Sequence, residues 1–339
     1  MDILNPQLIS ISGRVYCKYA TDNNFATPQS YEEPEVCWDD EPNCESTVTK
    51  NQSGRYEAAV NVPSALFKHV IGRKGAMKHK LEQETHTKIT IPGKGCNGSI
   101  IITGDKSSSV SSAQNRIEIL VAEKRWREPF THFISIPLTS ELVRTSFETF
   151  RKLAIDTCSL DPRLFQNPQK LHLTICTLVL LDDSEVERAI AAFKKCITRL
   201  SSEILGETQL QIKVKGLEYM NDDPGAVDVL YAKVVDENGT NKLQNFADAI
   251  ATELVKGGLS ENQYDHVKLH GTLLNTTFRK ANSSDRNEKG KRETFDAQEV
   301  LDKFETFDFG TVPLDKICLS ARFTTNADGY YDSVDVAQL

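Results

Sequence analysis

No run of apolar residues in this 339-residue chain approaches the roughly 18–20 that span a bilayer, so no membrane partner is expected. The opening residues, Met1-Asp2-Ile3-Leu4-Asn5-Pro6, lack the basic and apolar regions of a secretory signal. None of the eight cysteines, at 17, 37, 44, 96, 158, 176, 196 and 318, forms a C-x-x-C pair. Cys37 and Cys44 stand closest, with no histidine near them, so a zinc spacing is excluded. Without a secretory signal the thiols are expected to be reduced, as in the cytosol or nucleus. An excess of positive charge is also missing. The formal net charge of −8 excludes a nonspecific nucleic-acid coat protein, and any nucleic-acid site must be a local basic patch on an acidic body.

What is present is a short pattern that occurs twice. Leu171-His172-Leu173-Thr174-Ile175 reads as a strand, and so does Leu269-His270-Gly271-Thr272-Leu273, 98 residues further on (172 to 270). Strand side chains alternate between faces. His172 and Thr174 therefore share one face, His270 and Thr272 another, with the leucines and Ile175 turned to a core. A single H-x-T in a strand would be read as a structural histidine beside a good strand residue. Two copies point to two imidazoles and two hydroxyls facing one cleft. The imidazoles can act as general acid and general base, and the hydroxyls can hold a phosphate. Such a site needs no metal and no covalent intermediate, so no cofactor is expected. Which histidine is acid and which is base stays open.

The chain falls into three stretches, 1–53, 54–126 and 127–339. The first is acidic and turn-rich. Asp2, Asp22, Glu32, Glu33, Glu35, Asp39, Asp40, Glu41 and Glu45 face only Arg14, Lys18 and Lys50. A short strand or hairpin is expected over Leu8 to Tyr16. Ala20 to Thr49 reads as a flexible linker, either a solvated tail or a docking segment with Tyr31 and Trp38 as anchors.

Residues 54–126 read strand, helix, Gly72-Arg73-Lys74-Gly75, helix, strand, strand, helix. The second helix runs from Ala76, a strand covers Thr87 to Ile91, and the last helix covers Ser107 to Lys124. This order, with Val70-Ile71 ahead of G-x-x-G and Lys-Ile-Thr-Ile-Pro behind it, resembles a type I KH domain. The glycines let the backbone approach a nucleic-acid backbone, and a helix start offers free N–H groups to phosphate. In KH domains the loop clamps about four nucleotides. From Asn61 to Lys94 seven cations (Lys68, Arg73, Lys74, Lys78, Lys80, Lys88, Lys94) meet two anions (Glu82, Glu84), the basic patch that binding requires. Ile71, Gly72, Arg73, Lys74, Gly75, Lys78 and Lys88 are the expected contacts to single-stranded RNA or DNA. Val70, Ile71, Ile89 and Ile91 could contribute an apolar groove for bases. A KH fold used only for protein docking is the alternative.

Residues 127–339 alternate strands and helices, with one H-x-T in each half. Strands are expected at Thr131 to Pro137, around His172 and His270, and at Gln209 to Val214, Val227 to Val235, Phe307 to Thr311 and Lys316 to Phe323. Helices are expected at Ser140 to Thr157, from Ser184 to Leu205 with Ser184 as N-cap, at Asn241 to Lys256 and at Ala297 to Phe304. Tyr219 and Asn221 sit at a turn, and Asn275 and Arg279 follow the second motif. All four are possible substrate contacts. Asn275 is an odd step from Thr272 and reaches the cleft face only if a bulge intervenes. His132 and His266 are read as structural.

The paired motifs His172-Leu-Thr-Ile and His270-Gly-Thr-Leu resemble the H-Φ-T-Φ signatures of the two-histidine (2H) phosphoesterases, in particular their A-kinase anchor protein 7-like branch. Gly271 departs from the usual apolar residue, on the face opposite His270. The fold class is then α+β: a type I KH domain followed by a bilobal two-histidine phosphoesterase (LigT-like) domain. That combination, with Phe165-Gln-Asn-Pro, Glu218-Tyr-Met-Asn-Asp-Asp-Pro-Gly and Arg322-Phe-Thr-Thr, resembles a family of nuclear complex subunits. The resemblance implies a nucleus-based protein, with the cytoplasm as a second location. It further implies a complex that includes an ATP-dependent helicase, with roles in transcriptional coactivation and DNA alkylation repair. Three functions are compatible with the residues: a two-histidine phosphodiesterase on RNA or cyclic phosphates, a catalytically silent RNA- or nucleotide-binding subunit, and a scaffold that docks only proteins.

Overall fold

In the computed structural model the described residues are 48–93, 98–206, 209–261, 265–281 and 293–339, together with the backbone of 7–11 and 14–18. All but the last two residues of the expected linker 20–49, its anchors Tyr31 and Trp38, Lys94 and most of the loop 279–293 lie outside them. The chain divides into two units, Met1–Glu128 and Pro129–Leu339. Among the described residues no helix is long and apolar enough to cross a membrane.

In the first unit, β1 (Gln7–Ile11) and β2 (Arg14–Lys18) form an antiparallel hairpin. β3 (Thr49–Lys50) and β4 (Tyr56–Val60) lead into α1 (Phe67–Ile71), α2 (Ala76–Thr85), β5 (Thr87–Thr90), β6 (Ile100–Gly104) and α3 (Ser107–Arg125). The sheet runs β3-β4-β6-β5. Alternation in Thr87-Lys88-Ile89-Thr90 buries every second residue, as a half-buried strand requires. On α3 the helical stripe Val110, Ala113, Ile117 and Val121 is buried. Those residues close a core over Leu66, Val70, Leu81, Ile89, Ile100 and Ile102.

The second unit is built on one eight-stranded antiparallel sheet. Its elements are β7 (His132–Pro137), α4 (Glu141–Cys158), β8 (His172–Leu178), α5 (Asp183–Leu200), β9 (Gln211–Met220), β10 (Val229–Asp236), α6 (Lys242–Lys256), β11 (His270–Asn275), α7 (Thr277–Ala281), α8 (Gln298–Phe304), β12 (Asp308–Pro313), β13 (Lys316–Ala321) and β14 (Ser333–Gln338). The strand order is β12-β9-β10-β11-β8-β7-β13-β14. Helices α4, α5, α6 and α8 place Phe147, Phe150, Phe193, Phe246, Ile250 and Val300 in one core with Leu171, Leu173, Leu230 and Leu273 from the sheet. Each such aromatic or aliphatic side chain contributes roughly 1.5–3 kcal/mol by leaving water. The other face of the sheet carries the two H-x-T motifs.

Two expectations need correction. The N-cap of α5 is Asp182, whose carboxylate accepts from the Glu185 N–H at 2.9 Å. Ser184 is inside the helix and donates to Asp182 Oδ1 at 2.9 Å. A carboxylate at this position satisfies an orphan amide and also meets the positive end of the helix dipole. Second, β14 is absent from the sequence reading. Ser333–Gln338 is an edge strand whose two faces are both partly exposed, so it carries no buried-face alternation to read.

Candidate active site and nucleic-acid loop

The eight-stranded sheet has a seam at its centre. β8 and β11 are neighbours, but only Gly271 and Leu173 pair between them. On either side the two flanking sets, β12-β9-β10-β11 and β8-β7-β13-β14, hold four strands each and are continuously paired. Stepping one residue from the Gly271–Leu173 pair in antiparallel register sets His172 opposite Thr272 and Thr174 opposite His270. Directly opposed strand residues have their Cβ atoms about 5 Å apart. The seam thus brings the two H-x-T motifs together on one face of the sheet.

Each motif ends in a bulge. On β8 the register with β7 steps from Thr174–Ser135 to Cys176–Ile134, leaving Ile175 extra. On β11 the register with β10 steps from Thr272–Tyr231 to Leu274–Leu230, leaving Leu273 extra. Leu273 and Leu274 both enter the core, so the alternation resets there. The bulge that Asn275 needed is present, and it returns Asn275 to the face of Thr272. Gly271 is explained by packing. A Cβ at Gly271 would stand 3.0 Å from Leu138 Cδ1, so Leu138 occupies the volume that an apolar side chain at 271 would need.

Both imidazoles are oriented identically. His172 Nδ1 lies 2.7 Å from the Lys170 carbonyl, and His270 Nδ1 lies 2.7 Å from the Lys268 carbonyl. A carbonyl only accepts, so each Nδ1 carries the proton and donates it. Each Nε2 is then the basic atom of the neutral ring. Their surroundings differ. His172 is boxed by Phe133, Tyr331 and Tyr330, with ring centroids at 5.2, 5.3 and 6.5 Å. Burial pushes its pKa down to about 4, and the charge of nearby His270 adds to the drop. His270 has one such ring, Tyr231 at 5.3 Å. It too is lowered by burial, with Lys268 contributing. Beside His270 and Thr174 a cavity of about 380 Å³ runs between β8 and α6, with Asp248, Thr252, Ser260 and Lys268 in its wall.

Lys170 and Lys268 are site residues that the sequence reading missed. Both stand two positions before their histidine, so the repeat is really Lys-Leu-His-x-Thr. Lys170 Nζ lies 4.6 Å from the Tyr331 ring and Lys268 Nζ 4.7 Å from the Tyr231 ring. Each histidine is therefore backed by a tyrosine capped by the lysine two positions before it. The lysines were legible as part of the internal repeat. Phe133, Tyr231, Tyr330 and Tyr331 come from distant segments and had no local signal. His132 stays apart from this group and contacts Thr131 Oγ1 at 2.9 Å, whereas His266 contacts Asp248 at 2.9 Å in the wall of the cavity beside His270.

The other expected substrate contacts are engaged elsewhere. Tyr219 packs against the helix-covered core. Asn221 accepts from the Asp228 N–H at 3.2 Å. Asn275, though on the cleft face, accepts from the Thr277 N–H and hydroxyl at 3.0 and 2.8 Å, opening α7. Arg279 donates to Asp161 at 3.1 Å.

In the first unit the G-x-x-G loop joins α1 to α2. Gly72 has φ +72°, and a Cβ there would stand 2.6 Å from Met77 Cβ, so only glycine fits. Gly75 and even Lys74 have positive φ, +82° and +53°. Arg73 and Lys74 have no acidic partner among the described residues. Lys78 faces Glu82 at 3.9 Å and Lys80 faces Glu84 at 3.8 Å. Lys88 is exposed on β5. Of the residues proposed for a base groove, Ile71 is exposed, whereas Val70 and Ile89 are wholly buried. They support the loop from inside the core and do not line a groove.

Comparison with known proteins gives two family matches. Residues 130–339 match the family described as the AKAP7 2′5′ RNA ligase-like domain, and residues 57–119 match the KH domain. Mouse activating signal cointegrator 1 complex subunit 1 is 38% identical over 360 aligned residues, covering 98% of this chain and 98% of the mouse protein. An uncharacterized protein of Schizosaccharomyces pombe is 24% identical over 212 residues, 61% of this chain and 95% of its own. Among solved structures, E. coli LigT complexed with 3′-AMP aligns with 62% of this chain and 98% of its own, at 15% identity and a TM-score of 0.34.

Proposed function

We propose, since this chain belongs to the family of activating signal cointegrator 1 complex subunit 1 and carries an AKAP7 2′5′ RNA ligase-like domain behind a KH domain, that its cleft is a two-histidine phosphodiesterase site acting on RNA. The observation that carries this reading is the seam pair Gly271–Leu173, which brings the two H-x-T strands side by side, with His270 near enough to bear on the charge of His172. The nucleophile attacks phosphorus on the side opposite the departing group, and an acid and a base on facing strands suit that geometry.

In the hydrolysis of a 2′,3′-cyclic phosphate, His172 Nε2 removes a proton from water as its oxygen bonds to phosphorus. His270, protonated on Nε2, gives that proton to the departing ribose oxygen as the P–O bond breaks. The Thr174 and Thr272 hydroxyls donate to the non-bridging oxygens and stabilise the charge that builds on them. The resulting imidazolium and imidazole exchange protons with solvent to restore the starting pair. Acid, base and oxyanion donors all come from side chains, so the step requires no metal. The KH loop, through Arg73, Lys74 and the N–H groups before α2, holds single-stranded RNA, with DNA as the competing ligand.

One observation favours a second reading. Both histidines lie below their ordinary pKa, so the empty cleft at neutral pH holds two uncharged imidazoles and lacks its acid. A bound phosphate would restore that proton; without turnover, the same cleft is an RNA-end or nucleotide sensor in a regulatory subunit. In either case the partners proposed are the other subunits of the activating signal cointegrator complex, including an ATP-dependent helicase, within the nucleus. Roles in transcriptional coactivation and alkylation repair follow from that membership as proposals.

The test is product analysis on labelled single-stranded RNAs, some ending in a 2′,3′-cyclic phosphate, with EDTA present. Wild type is run beside His172→Ala/His270→Ala. EDTA-resistant product that disappears in the double variant is expected. No product from either protein, with RNA ends still bound, would replace the enzyme by the sensor.

A further inference from the structure

We infer that Phe323 is a base-stacking platform for the RNA strand beside the His172 half of the cleft. The inference rests on the reading that this cleft receives RNA, and it assigns the neighbouring subsite. Phe323 is 84% exposed and is the one aromatic residue exposed among the described residues. Its φ is +64°, a left-handed conformation that is unusual for a bulky side chain. Strain of that kind persists only where the surroundings impose it, and it clusters at ligand sites.

The surroundings here do impose it. Thr324 Oγ1 donates to the Ala321 carbonyl at 2.7 Å and accepts from the Asp332 N–H at 3.0 Å. Lys170 Nζ donates to Thr324 O at 2.9 Å and Thr325 Oγ1 at 2.6 Å. The Arg322 N–H donates to the Thr131 carbonyl at 2.8 Å. The ring is thus presented outward by a pinned backbone.

Its position is continuous with the site. The Arg322 guanidinium lies between two rings, 3.8 Å from Phe130 and 4.3 Å from Phe323. Phe130 meets Phe133 at 6.5 Å, and Phe133 meets His172 at 5.2 Å. The segment that carries Phe323 also carries Tyr330 and Tyr331, which box His172. An unbroken row of planar groups therefore runs from the catalytic imidazole to an exposed ring backed by a cation. A nucleobase suits that ring. Every base has a π-face that stacks on an aromatic side chain, and a nearby cation serves the attached phosphate. A protein partner suits it less well. The following residues Thr325, Asn326, Ala327 and Asp328 are small or polar, and a docking patch needs contiguous apolar area.

The test uses the full chain with R73E and K74E, so that the KH loop does not dominate binding. Affinity for fluorescein-labelled hexa-adenylate is measured for this chain, for F323A and for F323W. F323A is expected to weaken binding roughly five- to 150-fold, the worth of one stacked base. F323W is expected to restore it, and its indole emission to be quenched as hexa-adenylate is added. Binding is read apart from turnover: if no variant cleaves RNA but F323A still loses affinity, the platform stands and the phosphodiesterase reading falls. Unchanged affinity in F323A with unquenched F323W overturns the inference. So does unchanged RNA affinity in F323A accompanied by lost capture of partner subunits, which would make Phe323 a protein contact.

Discussion

Acidification should unfold the second unit partly through one side chain. His172 is enclosed by Phe133, Tyr330 and Tyr331, and burial holds its pKa near 4, with the Lys170 carbonyl opposing the drop and His270 adding to it. In the unfolded chain the imidazole returns to about 6.5. The folded pKa lies below the unfolded one, so the unfolded state takes up a proton that the native state refuses. Stability from this group is intact above about pH 6.5 and is lost as pH falls toward about 4. At about pH 5 the loss is about 2 kcal/mol, from ~1.4 kcal/mol per unit over the roughly 1.5 units below 6.5. His172→Asn should be less stable than wild type near pH 7.5, because it loses ring packing. It should nevertheless lose about 2 kcal/mol less than wild type on going to about pH 5, since the other titrating groups are common to both proteins. Urea unfolding followed by circular dichroism at the two pH values measures the difference. Equal losses in the two proteins would mean that His172 is not held neutral, and its assignment as the base would fall.

Thr174→Val and Thr272→Val each remove one proposed donor to the phosphoryl oxygens while keeping strand shape. Each is expected to lower kcat by roughly 10²-fold or more in single-turnover assays with little change in melting temperature. Gly271→Val drives a side chain against Leu138, 3.0 Å from the Cβ position, and is expected to destabilise the second unit by roughly 1–3 kcal/mol in urea titrations. R73E with K74E should weaken single-stranded RNA binding at every sequence tested. It should also flatten the salt dependence of log K by roughly 0.7 for each phosphate contact removed.

The sequence carried the KH unit almost whole. Its first two helices are short and joined by glycines held at positive φ, as Gly72 against Met77 shows. Buried alternation in Thr87–Thr90 and the stripe on α3 did the rest. In the second unit the two H-x-T strands were legible because a buried face fixes the parity of a strand. Their adjacency was not legible: it depends on a single pair, Gly271 with Leu173, at the weakest point of the sheet. The bulges at Ile175 and Leu273 were equally hidden, because both bulged residues are apolar and the sequence looks continuous through them. The aromatic boxes were the least accessible part. Tyr231 comes from β10, while Tyr330 and Tyr331 come from the turn before an edge strand. No local pattern announces that these rings meet His172 and His270.

The two halves of the site share one motif, Lys-Leu-His-x-Thr, and one tautomer, yet they cannot share one role. What separates them is enclosure. His172 has three rings around it, whereas His270 has one and borders a cavity. Charging an imidazole is costlier where water is excluded, so His270 accepts a proton first, and a bound phosphate anion stabilises that proton further. On the proposed phosphodiesterase reading, His270 is then the acid and His172 the base. A substrate with an activated leaving group separates the roles, because a nitrophenolate departs without a proton and a ribose alkoxide does not. His270→Ala should lose roughly 10²–10⁴-fold on a 2′-deoxy dinucleotide, where water is the nucleophile, but far less on the 4-nitrophenyl ester of thymidine 3′-phosphate. His172→Ala should be equally impaired on both, since each requires an activated nucleophile. Steady-state kcat/KM on the two substrates gives the answer. Rescue of His172→Ala and not of His270→Ala would reverse the assignment, and would mean that the more enclosed imidazole carries the proton.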